Sequence, residues 1–79
     1  MPVTLEQARA LDALARAGTF AKAAAELHKG HTAVVYALRS LEEQTGLVLL
    51  DRGGYRTRLT AAGLRVLEHC RRRLAAESA

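Results

Sequence analysis

Five side chains with hydrogen-bonding or methyl groups recur at helical spacing beside an apolar stripe. They are His31, Thr32, Val35, Tyr36 and Arg39. An arginine can donate two hydrogen bonds to a guanine edge, and a valine can contact the methyl group of thymine. If the segment is a helix, Thr32, Tyr36 and Arg39 share one side of it. The spacing therefore predicts base contacts in the major groove of double-stranded DNA. The alternative is that these side chains form only the solvent-exposed face of an amphipathic helix.

A second group consists of cations and turn residues that suit phosphate contact. Its members are Thr19, Lys29, Gly30, Arg52, Arg56 and Arg58. The net charge of +4 lies entirely in residues 50–79, where seven arginines face three acids. Arginine pairs well with phosphate, and so do backbone amides at the start of a helix. We expect this group to hold the DNA backbone or to reach the minor groove, the alternative being solubility or pairing with Asp51.

Metal binding and catalysis have little support in the sequence. A zinc site needs four ligands, and the candidates form two distant pairs, His28 with His31 and His69 with Cys70. Cys70 lies on an apolar stripe, which favours packing over nucleophilic catalysis. We therefore expect no metal, no cofactor and no enzymatic activity.

The cellular setting follows from cysteine usage and hydropathy. The single cysteine cannot form a disulfide within the chain and fits a reducing compartment. No apolar run approaches the roughly 20 residues that cross a membrane, and no signal peptide is visible. We expect a cytoplasmic protein without a membrane partner.

Capping and turn signals divide the first part of the chain into three helices. They are a capping box at Thr4 and Gln7, a helix end at Gly18, a cap at Thr19, a turn over residues 28–30 and a helix end at Gly46. Gly30 is expected to supply the backbone freedom of the turn and to act as a weak cap of the third helix, which runs over about residues 31–45. Two helices joined by a three-residue turn containing glycine predict a helix-turn-helix.

The segment 47–59 combines an apolar run, a Gly-Gly turn and an alternating basic run, which predicts a two-stranded hairpin. A hairpin this short needs support from the helices, as the wing of a winged helix has. We predict a mainly α fold: a winged helix-turn-helix of three core helices and a two-stranded wing over residues 1–59, then a linker and dimerisation helix over residues 60–79.

The last helix, capped by Thr60, carries a continuous apolar stripe. The stripe consists of Leu59, Gly63, Val66, Leu67, Cys70 and Leu74. A chain of 79 residues builds only a modest core, so we expect the stripe to extend beyond it. The residues expected at a homodimer interface, where two copies of this helix pair antiparallel, are Gly63, Leu67, Cys70 and Leu74.

Landmarks at matching separations carry a family resemblance. They are Leu11, Gly18-Thr19-Phe20, Ala23-Ala24, Leu27-His28, Ala33-Val34, Leu38, Leu41-Glu42, Gly46, Leu49-Leu50-Asp51-Arg52 and Arg58-Leu59-Thr60-Ala61-Ala62-Gly63. In this combination the chain resembles the DNA-binding domain of LysR-type transcriptional regulators over essentially all of its length. The resemblance implies a winged helix-turn-helix, a linker helix that pairs in a homodimer, and a ligand-sensing domain further along the protein. We expect that ligand-sensing domain, which would bind a small-molecule effector, to lie outside these 79 residues.

The sequence departs from the family pattern at the start of the third helix. Family members usually have Ser-Gln-Pro or Ser-Gln-Ser there, a second Ser three positions later and an apolar residue in the turn. This chain has Gly30, His31, Thr32 and Val35 at those places and Lys29 in the turn. We expect sequence-specific double-stranded DNA binding as the N-terminal domain of a bacterial transcription regulator. The alternative function is a winged helix for protein–protein contact without DNA readout.

Overall fold

The order of elements is three helices, a two-stranded hairpin and a long final helix. A computed structural model describes residues 2–54 and 56–78. The elements are α1 (Leu5–Ala17), α2 (Phe20–Leu27), α3 (His31–Thr45), β1 (Leu50–Asp51), β2 (Arg58–Leu59) and α4 (Ala61–Ser78). The strands pair antiparallel, with Leu50 opposite Leu59 and Asp51 opposite Arg58. The expected winged helix-turn-helix and its final helix are confirmed.

Local capping explains where the first two helices begin and end. Thr4 and Gln7 form the expected capping box, in which each side chain accepts a hydrogen bond from the other residue's backbone N–H. Gly18 ends α1 in the left-handed conformation with φ of 84°. Thr19 caps α2, because its Oγ1 accepts a hydrogen bond from the N–H of Lys22. These starts and stops are confirmed.

The turn between α2 and α3 differs from the expectation. The left-handed residue is His28, with φ of 56°, and its N–H donates to the carbonyls of Ala24 and Ala25. Gly30 has φ of −70° and lies at the N-cap of α3 without a side-chain hydrogen bond. The prediction that Gly30 supplies the unusual backbone conformation of the turn was therefore wrong. His28, the first residue after α2, takes the left-handed conformation and caps the C-terminus of that helix.

The core lies where α1 packs against the other three helices. Its largest fully buried side chains are Leu11, Leu14, Val34, Leu38, Leu41, Leu49 and Cys70. Ala23 and Ala24 are the buried residues of α2, and their small side chains let α2 approach α1 and α3 closely. The apolar stripe beside the candidate base-contacting residues consists of Val34, Leu38 and Leu41, whose helical spacing predicts that they share one buried side of α3. The structure confirms that all three are buried.

The hairpin is attached to the start of α4 through Thr60. Its Oγ1 accepts a hydrogen bond from the N–H of Gly63 and donates one to the carbonyl of Val48 at 2.6 Å. The N–H of Thr60 donates to the carbonyl of Leu49. The strands are shorter than the predicted segment, and Val48 stays 69% exposed.

The apolar stripe of α4 is covered by the chain's own core. Leu67 and Cys70 are buried, and Gly63 is buried against the backbone of Leu49. These three residues are thus covered within the single chain, where α4 packs against α1 and β2, and their expected contact with a second copy stays a prediction. Leu74 is only half-buried at the far end of the stripe.

One ion pair fastens α4 to α1, and a second pair within α1 shares its carboxylate. Arg71 Nε donates to Asp12 Oδ1 at 2.9 Å, and Arg16 donates to Oδ2 at 3.0 Å. Partial burial alone would raise the pKa of Asp12, but the hydrogen bonds from Arg71 and Arg16 outweigh it and lower the pKa. Burial, with a smaller contribution from the charge of Asp12, raises the pKa of the Cys70 thiol, so Cys70 packs as a neutral side chain.

Candidate nucleic-acid interface

The rotation of α3 exposes a row of side chains, which we call the reading row: Thr32, Tyr36 and Arg39. Burial of Val34 and Leu38 turns the opposite side of the helix outward. All three members of the row are exposed, Tyr36 by 71%. An exposed tyrosine in the middle of the row presents both an apolar ring and a hydroxyl, which suits sugar and phosphate contacts.

His31 and Val35 lie at the edge of the reading row. His31 is exposed, and its ring meets that of Phe20 edge-on, with 5.8 Å between ring centroids. Val35 is only half-buried, although the sequence placed it beside the exposed row. His31 thus lies on the side of α3 that faces α2.

Arg52 lies beside α2 and α3 rather than at the tip of the hairpin. Its guanidinium carbon is 5.6 Å from the ring centroid of Phe20, within cation–π range. Its Nη2 is 3.9 Å from Glu42 Oε1. Arg52 is therefore held between the first turn of α2 and the C-terminal part of α3, the helix that carries the reading row.

The two arginines after the Gly-Gly turn occupy different positions. The guanidinium of Arg56 packs over Gly18, about 3.1 Å from where a Cβ would be. Arg58 is exposed on β2 opposite Asp51. In residues 2–54 and 56–78 neither arginine forms an ion pair, and Asp51 accepts a hydrogen bond from the N–H of Gly53. Both guanidinium groups thus keep their charge available for an anionic partner.

The remaining phosphate candidates are partly engaged within the chain. The hydroxyl oxygen of Thr19 caps α2, and Lys29 Nζ lies 3.3 Å from Glu6 Oε1. The Lys29–Glu6 pair is solvent-exposed, so it competes only weakly with a phosphate for the lysine. Gly30 is exposed at the start of α3, where open space surrounds its Cα.

Two sets of polar contacts between distant residues escaped the sequence reasoning, which had assigned Gln7 only to the capping box. Glu42 accepts hydrogen bonds from the N–H groups of Leu49 and Leu50, and Gln7 is buried and donates to Gln44. Glu42 was visible only as part of a family landmark, because its partners lie seven and eight residues further along the chain.

The described part of the chain contains neither a metal-binding cluster nor a membrane-spanning helix. No group of three or more His, Cys, Asp and Glu side chains is placed to hold a metal ion there. Among the same residues, no helix combines the length and the apolar character that a bilayer crossing requires.

Comparison with known proteins places this arrangement in a family. The family model of the bacterial regulatory helix-turn-helix protein, lysR family, matches residues 5–64. The probable HTH-type transcriptional regulator YhaJ of Escherichia coli K12 is 45% identical over 69 residues, which is 87% of this chain and 23% of that protein.

Two solved complexes with DNA share the fold. The CbnR DNA-binding domain in complex with DNA is 36% identical with a TM-score of 0.89, over 95% of this chain and 86% of that one. The BenM DNA-binding domain in complex with benA site 1 DNA is 25% identical with a TM-score of 0.89, over 95% and 87%. This chain belongs to the lysR family of bacterial regulatory helix-turn-helix proteins.

Proposed function

We propose that this chain binds double-stranded DNA sequence-specifically as the DNA-binding part of a bacterial transcription regulator. The observation that carries the proposal is the reading row on α3, Thr32, Tyr36 and Arg39, turned away from the core by the burial of its opposite side. A helix fits the major groove of B-DNA, with its N-terminal half against base edges. The related CbnR domain, solved with DNA, supports the same use of this fold.

The basic residues supply the contacts that do not depend on base sequence. Arg52 and Arg58 would hold phosphates on either side of the hairpin, and Arg56 would reach the backbone or the minor groove from its place over Gly18. Thr19, Lys29 and Gly30 would contribute at the starts of α2 and α3, where backbone amides favour anions. His31 and Val35 would contact bases at the edge of the reading row.

The alternative, a winged helix that contacts only proteins, has no support among the relatives. The chain spans 23% of the length of the YhaJ regulator. Sensing of a small-molecule effector is therefore proposed for a part of the protein outside these residues.

Binding to duplex DNA is expected to weaken steeply with salt. Each neutralised phosphate adds about −0.9 to the slope of log affinity against log salt, so three or more contacts predict a slope of about −3 or steeper. Arg39→Ala should lose about 1–3 kcal/mol on a duplex selected from random sequences and much less on a scrambled one. Fluorescence anisotropy titrations at several salt concentrations measure both.

Arg65→Ala is the matched control, because it removes the same charge from an exposed position on α4. It should leave the ratio of selected to scrambled affinity unchanged. No binding to any duplex in low salt, or a slope near zero, would falsify the proposed function. If Arg39→Ala keeps the wild-type ratio of selected to scrambled affinity, Arg39 does not contact bases.

We further propose that two copies pair through the C-terminal end of α4. Leu74 lies half-buried where the stripe leaves the domain core, and two-fold pairing there would match a palindromic DNA site. Leu74→Asp is expected to shift the chain toward monomer in light scattering at micromolar concentrations. Leu64→Asp, an exposed leucine on the same helix, is the control. A wild-type chain that stays monomeric at high micromolar concentration would contradict the pairing.

A further inference from the structure

One side chain of α3 contacts the strand that opens the hairpin at several points. Glu42 Oε2 accepts hydrogen bonds from the N–H of Leu49 at 2.9 Å and of Leu50 at 3.3 Å. Its other oxygen, Oε1, lies 3.9 Å from Arg52 Nη2. Glu42 therefore ties the helix that carries the reading row to the first arm of the hairpin, through Leu50 in β1 and the flanking residues Leu49 and Arg52.

Arg52 has a second neighbour on α2. Its guanidinium lies over the ring of Phe20, and that ring also contacts His31 at the start of α3. We call Phe20, Glu42 and Arg52 the wing anchor. It joins one residue each from α2, α3 and the hairpin, so the orientation of Arg52 depends on all three.

We propose that Glu42 is a positioning residue for DNA binding, which fixes the hairpin to α3 and holds Arg52 where it meets the DNA backbone. The inference rests on the proposed function. Without the carboxylate, the amide of the fully buried Leu49 loses its acceptor, and a buried amide without a partner is costly. Arg52 would then sample many rotamers, and ordering it on DNA would weaken binding.

The role of Glu42 is orientation rather than charge attraction. A pair 3.9 Å apart, with Arg52 exposed by 45% and Glu42 by 22%, contributes little to stability by itself. Glu42→Gln keeps an oxygen that can accept from Leu49 but removes the charge that faces Arg52. Glu42→Ala removes both, so the two variants separate anchoring of the strand from orientation of the arginine.

Glu43→Gln is the matched control. Loss of any carboxylate near DNA raises affinity by reducing repulsion, and Glu43 is the next residue on α3 and is exposed. In the described part of the chain Glu43 makes no ion pair and no side-chain hydrogen bond to the hairpin. The comparison of Glu42→Gln with Glu43→Gln therefore cancels the effect of charge on affinity.

The experiment measures duplex affinity of the wild type, both Gln variants, Arg52→Ala and the double variant Glu42→Gln/Arg52→Ala. We expect Glu42→Gln to bind the selected duplex about fivefold to tenfold more weakly than Glu43→Gln. In the Arg52→Ala background, Glu42→Gln should cause little further loss. Equal affinity of the two Gln variants, or losses that simply multiply in the double variant, would overturn the proposal.

Amide hydrogen exchange tests the strand contact without DNA. The Leu49 and Leu50 amides should exchange at least about tenfold faster in Glu42→Ala than in Glu43→Ala, because an opening cost lower by 1.4 kcal/mol gives that factor. Equal exchange would overturn the anchoring of the strand. Failure of the wild type to bind any duplex is a different result, since it removes the proposed function while exchange still reports on the anchor.

Discussion

Gly63→Ala is expected to lose about 3 kcal/mol of the free energy of unfolding, the upper end of the usual range for overpacking a filled core. A Cβ at Gly63 would lie far inside van der Waals contact of the Leu49 carbonyl oxygen. It would also approach the Leu49 carbonyl carbon to 3.1 Å and the Leu59 Cβ to 3.2 Å. Both neighbours belong to the hairpin, so relief of the overlap requires the hairpin to move off α4. Urea unfolding followed by circular dichroism measures the loss.

Helix propensity alone predicts the opposite result, a gain in stability when alanine replaces glycine. In an exposed helix, glycine to alanine would stabilise by about 1 kcal/mol, so a large loss isolates the close contact. Gly30→Ala is the control, because open space surrounds Gly30 and its φ of −70° suits any residue. It should stay within about 1 kcal/mol of the wild type, the range for changes at a helix N-cap. A Gly63→Ala variant as stable as Gly30→Ala would contradict the observed packing of α4 on the hairpin.

Leu38→Ala is expected to lose about 2–5 kcal/mol, the range for truncating a buried leucine. Leu38 is 1% exposed and is one of the largest fully buried side chains of α3. A single core of this size supplies only about 3–5 kcal/mol in total, so the variant should be largely unfolded near 37 °C. Thermal unfolding by circular dichroism and urea titration at low temperature measure the change.

Leu64→Ala is the matched control, because it makes the same substitution at a leucine that is 56% exposed. It should stay within about 0.5 kcal/mol of the wild type. Arg39→Ala, one residue after Leu38, should also keep the wild-type melting temperature while it changes sequence preference. If Leu38→Ala and Leu64→Ala have equal stability, the assignment of the buried side of α3 is wrong, and with it the direction of the reading row.

The sequence by itself determined the four helices, the starts and stops that capping residues set, and the buried side of α3. These features depend on neighbours within about four residues, such as the hydroxyl of Thr19 that caps the amide of Lys22. Apolar spacing was enough to place Val34, Leu38 and Leu41 inside and the reading row outside. The hairpin also followed from local composition, although its strands are only two residues long.

Only the tertiary structure decided which elements cover each apolar surface and where the arginine side chains lie. The sequence of the α4 stripe is equally compatible with cover by a second copy or by α1. In the folded chain Leu67 and Cys70 are already buried, and α4 packs against α1. Likewise, Arg52 takes its place from Phe20 and Glu42, which are distant from it in the chain. Contacts between residues that are distant in the chain leave no periodic pattern in the sequence. Each of the two residues, taken alone, has the character of an ordinary surface or core residue.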